Sequence, residues 1–325
     1  SGSSDESIRL WPSAAARPRS RVLRGHRFAV LGLAFSPSGQ RLASAGADGT
    51  VRLWPMRGDG LSTVLRAGER QFAQVAFSPD GQRLAAAADD GSVWLWRVGG
   101  ADPPTVIPVH RVWARSLAFS PDGRHLATAS DDTTVRVWSL ERPDHQVILR
   151  GHSEAVRAVA FHPAGDHLAS AGYDRTVRLW RADGSGRPFI GNGHSAPVHA
   201  VAFSPDGRSL ISGAADGTVR LWPIERRGEL GRPTTVGAHD GPVRSVAFGP
   251  DGRQVISAGG DHAVRVWTEL SPLRPDSPRL WRATDHCLLA AERRRELGVD
   301  PPTAAANRQR CRSRVAAAGD DPQGR

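Results

Sequence analysis

Tryptophan recurs along this chain at 11, 54, 96, 138, 180, 222 and 267, in steps of 43, 42, 42, 42, 42 and 45 residues. A period near 42 means one structural unit per interval, each burying its apolar face on its neighbours. Three other positions travel with the Trp. An Asp stands six residues before every one of them, at Asp5, Asp48, Asp90, Asp132, Asp174, Asp216 and Asp261. Ten residues before stands Ser1, Ser44, Thr128, Ser170, Ser212 or Ser257, and twenty-eight before stands His26, His110, His152, His194 or His239. The second complete unit departs, with Gly68 and Ala86 at the His and Ser positions.

Inside a unit the pattern is that of strands. Thr50 to Trp54 and Thr218 to Trp222 alternate, with Val and Leu on one face and Arg and Trp on the other. Pro-Asp-Gly at 79–81, 121–123, 205–207 and 250–252 separates two apolar runs. Pro presets the dihedral of the second turn position and Gly tolerates the fourth, so each is a hairpin turn. Four short strands per unit with no helical period leave a sandwich, a barrel or a propeller. Radial repetition at this period selects the all-β propeller with four-stranded antiparallel blades.

The stretch "RGHRFAVLGLAFSPSGQRLASAGADGTVRLW" closely resembles a unit of the WD-repeat family, which runs from a Gly-His pair to a Trp-Asp pair. The resemblance covers residues 1 to about 270, although Pro55, Arg97, Ser139, Arg181, Pro223 and Thr268 replace the Asp after the Trp. It implies that His, Ser or Thr, Asp and Trp join in one buried hydrogen-bonded chain within each blade. Here the sets are His26, Ser44, Asp48 and Trp54; His110, Thr128, Asp132 and Trp138; His152, Ser170, Asp174 and Trp180; His194, Ser212, Asp216 and Trp222; and His239, Ser257, Asp261 and Trp267. The second unit, lacking two members, is expected to be the least protected blade. Six units are complete. A truncated first blade is represented by the strand ending in Trp11 and an outer strand near Val22, so either seven blades are present with two strands upstream of residue 1, or six close on themselves through the strand near Val22. Seven is the expectation.

Composition removes several chemistries. All 43 Lys-plus-Arg residues are Arg, which excludes a phosphate-binding loop ending in Gly-Lys, a kinase strand lysine and a Schiff-base lysine. His beside Ser and Asp superficially looks like a catalytic triad. A triad occurs once per site, whereas this set recurs in every unit but one, as a structural network should. His199, His262 and His286 stand on no ligand lattice and are expected in loops. No metal site, cofactor or catalytic residue is expected, and the chain is read as a non-enzyme. The formal charge of +10 invites a nucleic-acid partner. The Arg residues follow the repeat, however, two before each Trp (Arg9, Arg52, Arg136, Arg178, Arg220, Arg265), where they can lie over the ring, or after the turns (Arg124, Arg208, Arg253). Neither set makes the continuous cationic track that a polyphosphate requires.

The first strand of each unit carries the sharper signal. Apolar residues fall at Val156, Val159 and Phe161, at Val198, Val201 and Phe203, and at Val243, Val246 and Phe248. A step of three followed by a step of two implies a β-bulge, a device that re-aims side chains beside functional surfaces. The family resemblance implies that the bulged residues project onto the narrow face, where partners commonly bind: Leu31, Ala73, Arg115, Arg157, His199 and Arg244. It places there also the residue before each repeat Asp: Ala47, Asp89, Asp131, Tyr173, Ala215 and Gly260. With Trp113 these give a lopsided face. Trp113, Arg115, Asp131, Arg157, Tyr173, His199 and Arg244 form the candidate partner-binding set, rich in the side chains that dominate binding hot spots. The expected partner is a protein or peptide with acidic groups; neither nucleic acid nor a membrane is expected.

The domain reading is a propeller over 1–270, a linker over 271–279, a helical tail over 280–315 and a disordered end over 316–325. The tail resembles those that follow propellers in multidomain bacterial signalling proteins. The function expected is a scaffold or sensor module within a larger regulatory protein; the alternative is the non-catalytic arm of an NTPase, kinase or protease with its catalytic domain upstream. No apolar run approaches the roughly 20 residues of a membrane span and no signal peptide opens the chain, so a soluble protein of the cytoplasm is expected. Cys287 and Cys311 lie in the tail, outside the repeats. In a reducing compartment both are free thiols. Thiol titration of the unreduced, unfolded protein should therefore find two reactive groups; finding none would overturn the compartment.

Overall fold

A computed structural model describes residues 1–11, 20–57, 62–66, 70–142, 145–225, 228–268 and 270, and within these every regular element is a β-strand. The fourth blade shows the plan. Val156–Phe161, His167–Gly172, Val177–Arg181 and Phe189–Gly191 pair antiparallel in that order. Five such four-stranded sheets begin at Val30, Phe72, Ala114, Val156 and Val198, and a three-stranded sixth begins at Val243–Phe248. The first strands of successive sheets neighbour one another, which gives a propeller of six blades. Each outer strand belongs in sequence to the following unit. Phe189–Gly191 precedes His194 but completes the sheet that ends in Trp180, so consecutive units are interlocked.

The turns form as their residues dictate. The amide of Gly81 donates to the carbonyl of Ser78 at 2.8 Å, and Gly81 adopts φ 69°. The Asp80 carboxylate accepts from the Ser78 hydroxyl and from the Gln82 amide, closing the same turn from the side. Between blades the packing is of small against large. Ala127 and Ala129 on the middle of the third blade are fully buried, and the ring of Trp180 lies on them together with Val135 and Val137. Small residues let the next sheet approach; the indole then fills the space. Burying such a ring contributes on the order of 3 kcal/mol by area, and the motif repeats from blade to blade.

The expected network is present in five blades. In the fourth, His152 Nδ1 lies 2.8 Å from Asp174, His152 Nε2 lies 2.7 Å from the Ser170 hydroxyl, and the Trp180 indole N–H donates to that hydroxyl at 2.7 Å. One polarity satisfies every partner: Trp N–H to Ser, Ser O–H to His Nε2, and His Nδ1–H to Asp. Burial alone would raise the Asp174 carboxyl, but bonds from His152 and Thr176 outweigh it and hold the group well below the usual carboxylate range. Asp132, Asp216 and Asp261 behave alike. The third blade breaks the last link. Thr128 still meets His110 Nε2 at 2.8 Å and donates to the Arg136 carbonyl at 3.4 Å, yet the Trp138 indole N–H is buried without a partner. The arginines two before the Trp also depart from expectation. Arg178 bonds to Thr176 at 3.2 Å and reaches Asp174 at 3.4 Å, so it serves the carboxylate end of the network instead of lying over the ring.

The second blade, expected to be the least protected, is filled differently from the others. Ala86 is buried at the Ser position, and Phe72, where the fourth blade has Val156, is buried too, while Gly68 at the His position lies outside the described residues. Trp94 stacks on Trp96 with centroids 6.1 Å apart, and both present to Phe72 in edge geometry. Trp94 also finds a partner for its N–H in Ser92 at 3.0 Å. An aromatic cluster thus replaces the polar chain, and no orphaned Ser or His is left behind.

A complete seventh blade is not part of the described structure. Ser7–Leu10 and Arg21–Arg24 form a two-stranded sheet, and Trp54 of the first blade packs on its Ile8 and Leu23. Trp11 donates to Ser1 at 3.2 Å but is 47% exposed. At the other end, Ile256, Val264 and Val266 are 37%, 39% and 55% exposed, whereas their counterparts in the fourth blade, Ala169, Val177 and Leu179, are buried. The linker, the tail helices, Cys287 and Cys311 lie outside the described residues.

Two outcomes are expected. Because the network carboxylates titrate below the ordinary Asp value of 3.8, the unfolded chain takes up protons first. Their stabilisation is complete above that value and is lost as pH falls through it toward the folded-state values. Thermal melts should therefore show Tm falling steeply below about pH 4, and Asp174→Asn should lower Tm at neutral pH while flattening that acid slope; an unchanged slope contradicts the assignment. Amides of Arg83–Ala88 in the second blade should exchange with solvent as slowly as those of His167–Gly172 in the fourth. Markedly faster exchange would mean that the aromatic filling does not replace the network.

Candidate functional site

Bulges occur where the spacing of apolar residues put them. The register shifts between Val30 and Gly32, Phe72 and Gln74, Ala114 and Ser116, Val156 and Ala158, Val198 and Ala200, and Val243 and Ser245. The skipped residues are Leu31, Ala73, Arg115, Arg157, His199 and Arg244, one per blade on the innermost strand. They are held in place by the ladder on either side and by bonds between blades. The Val159 amide donates to the Ser116 hydroxyl at 3.1 Å, and the Leu117 amide to the Gln74 side chain at 3.2 Å. Sequence reasoning did not single out Gln74 or Ser116; their signal is a polar residue directly after the bulged one.

The third to sixth blades bring the candidate residues together. Arg115 grips Asp131 with two prongs, Nε at 2.8 Å and Nη2 at 2.5 Å, and its guanidinium lies 3.6 Å from the centre of the Trp113 ring. Arg115 is therefore neutralised and clamped between a carboxylate and an indole. The Trp113 N–H is buried without a partner. Arg157 stands over Tyr173 at 5.2 Å, and Tyr173 in turn meets His199 edge to face at 6.0 Å. Burial first, then the charges of Arg244 and Arg157, push His199 down to about 4, so it is neutral at physiological pH. Burial and the neighbouring Arg115 likewise lower Arg157. Positive charge thus accumulates around His199.

Asp89 lies on the same rim next to the repeat Asp90, and its amide bonds to the carbonyl of Gln71. Leu31 is exposed, and Ala47 and Ala73 add little bulk. The face over the first two blades thus offers small or apolar residues apart from Asp89, whereas the third to sixth carry its Arg and aromatic side chains. His262, by contrast, occupies a left-handed turn position with φ 61° and joins no cluster; His286 lies outside the described residues. The five His, Ser or Thr, and Asp sets are sealed: the side chain of His152 is 1% exposed, and the Ser170 hydroxyl already serves both Trp180 and His152. No substrate can reach them. Among the described residues no three His, Cys, Asp or Glu side chains are grouped to hold a metal ion. A cleft of about 480 Å3 opens at the opposite rim, lined by Pro121, Asp122, His125 and Phe161 among others, away from the bulged residues.

Comparison with known proteins agrees with this architecture. A family profile described as WD domain, G-beta repeat, matches residues 18–55, 67–97, 102–139, 144–181, 188–223 and 231–268. Striatin-4 of Homo sapiens is 50% identical over 64 residues, covering 17% of this chain and 8% of that protein. Ribosome biogenesis protein erb1 of Aspergillus clavatus is 47% identical over 53 residues, 16% of this chain and 6% of that protein. Coronin-7 of Bos taurus is 41% identical over 58 residues, 18% of this chain and 6% of that protein. The matches thus span less than a tenth of each relative's length. All three relatives are eukaryotic, and the tail that resembles bacterial signalling proteins lies outside the described residues.

Proposed function

The chain belongs to the WD domain, G-beta repeat family, and on that premise we propose that it is a non-catalytic scaffold or sensor module that captures a protein partner on the face formed by its bulged residues. One observation carries the reading. Six bulges in register re-aim one side chain per blade, and in the third to fifth blades Arg115 lies over Trp113 while Arg157 and His199 both meet Tyr173. Rigid aromatic groups offer contact area at low entropic cost, and Arg adds directed hydrogen bonds. The partner carries acidic groups, since the bulges of the fourth and sixth blades present the guanidinium groups of Arg157 and Arg244 on this face, and such groups hold carboxylates. We place the module within a larger regulatory protein of the cytoplasm. The exposed Ile256, Val264 and Val266 at one end and Trp11 at the other support a ring of seven blades, in which the two-stranded sheet is part of the seventh.

The test is capture of the natural partner from its own cell extract. Trp113→Ala or Arg157→Ala should weaken binding by about 2 kcal/mol, roughly thirtyfold, with Tm nearly unchanged. Trp138→Ala should instead unfold its blade, because that ring is buried in the core. If the double variant of Trp113 and Arg157 recovers every partner at parental yield, this face is not the binding surface.

A further inference from the structure

We propose that Arg157, His199 and Arg244 form one subsite that holds a side-chain carboxylate of an acidic peptide. The proposal rests on the reading of this face as the binding surface and names the chemistry that the face recognises there.

The three residues are the bulged positions of the fourth, fifth and sixth blades, whose inner strands are consecutive neighbours. Their electrostatics differ from those of the third blade. Arg115 carries its own counterion in Asp131 and its own ring in Trp113, so its fork is already occupied. Arg157 and Arg244 form no ion pair among the described residues; Arg157 has the π-face of Tyr173 and, at longer range, the charge of Asp131, which Arg115 already holds. Both guanidinium groups act on His199, and Arg244 also disfavours the charge on Arg157. Two uncompensated cations converging on one half-buried imidazole repel one another. The arrangement is stable because the ring is neutral; it lacks the anion that would relieve it.

The geometry suits a carboxylate in particular. A guanidinium fork matches a planar carboxylate with two parallel hydrogen bonds, and two forks can share one such group. His199 Nδ1 is buried and bonds to nothing, so it is out of a ligand's reach, and the half-buried ring can meet the anion only through Nε2. Tyr173, 36% exposed, forms the wall toward the fourth blade. The corresponding rim positions of the next two blades are Ala215 and Gly260, whose small size leaves the approach open. The cationic zone ends at Asp131 on one side and at the apolar first blades on the other. It spans three blades only, too short a track for the many phosphate contacts that nucleic-acid affinity requires.

The experiment measures fluorescence polarisation with the full chain and three labelled probes: a twelve-residue peptide of alternating Glu and Gly, the same peptide with Gln for Glu, and a twelve-nucleotide oligothymidine. The Glu peptide should bind and the Gln peptide should not. Arg157→Gln and Arg244→Gln should each weaken the Glu peptide at least tenfold. Arg124→Gln and Arg208→Gln, which remove the same charge from the turns of the opposite rim, should change it less than twofold. Arg244 is exposed, so its variant tests the subsite even if the Arg157 variant melts early. Absence of Glu-peptide binding, equal losses from all four variants, or tighter binding of the oligothymidine each overturns the subsite. Failure here with capture of the natural partner still lost in Trp113→Ala would remove the carboxylate subsite and leave the binding face standing. Glu-peptide binding that depends on Arg157 and Arg244, with partner capture untouched by Trp113→Ala, would do the reverse.

Discussion

The structure depends on one side chain used twice. The repeat Trp lays its ring on the preceding blade and, in four of the complete blades, donates its N–H to the Ser of its own. Trp180 packs on Ala127 and Ala129 of the third blade while bonding to Ser170 of the fourth. Apolar packing between blades and polar order within a blade therefore meet in one residue. The Ala pair beneath the ring is as necessary as the ring, since a larger residue there would push the next sheet away. From the same residue the polar chain runs through Ser and His to an Asp at the turn beside the narrow face. The network fixes the turn whose preceding residue, such as Tyr173 or Asp131, reaches the surface. Core and bulged rim are thus ends of one construction.

Departures from the pattern show which part is indispensable. The second blade dispenses with His and Ser yet keeps Trp96, and it fills the vacated volume with Phe72 and Trp94. The third blade keeps its His and Asp but leaves the Trp138 N–H unpaired, at an expected cost of about 1–3 kcal/mol for a buried donor. Neither departure disturbs the ladder or the bulge. Packing of the ring between blades is the constant; the hydrogen-bonded chain is one of two ways to fill the space behind it. The same economy appears at the face, where each bulge costs one ladder position and gains one directed side chain.

Most of the fold was legible because repetition averages out local ambiguity. The Trp spacing, the Pro-Asp-Gly turns and the three-then-two step in the first strands located the blades, the hairpins and each bulged residue from Leu31 to Arg244. What sequence could not give was pairing across blades. Nothing in the spacing says that Arg115 closes on Asp131, sixteen residues later, while Arg157 meets a tyrosine ring. Nor does spacing reveal that Arg178 turns toward Asp174 and away from the indole, because Thr176 offers an acceptor on the same strand face. Nor does counting the polar groups absent from the second blade show that Phe72 and Trp94, larger than the residues at the matching positions elsewhere, pack together there. In each case the deciding fact is a side-chain choice among competing partners, which depends on three-dimensional distance.

The central claim is a division of labour, in which the buried network holds the blades while the bulged residues and the aromatic rings beside them meet the partner. It is tested most directly by measuring Tm and affinity for the natural partner together in Ser170→Ala and Arg244→Ala. Ser170→Ala leaves the Trp180 N–H and His152 Nε2 buried without a partner, so Tm should fall by several degrees while affinity well below the melt stays at the parental value. Arg244→Ala should show the opposite, with Tm unchanged and affinity reduced at least tenfold. If Ser170→Ala loses affinity at unchanged Tm, or Arg244→Ala loses Tm at unchanged affinity, the division does not exist.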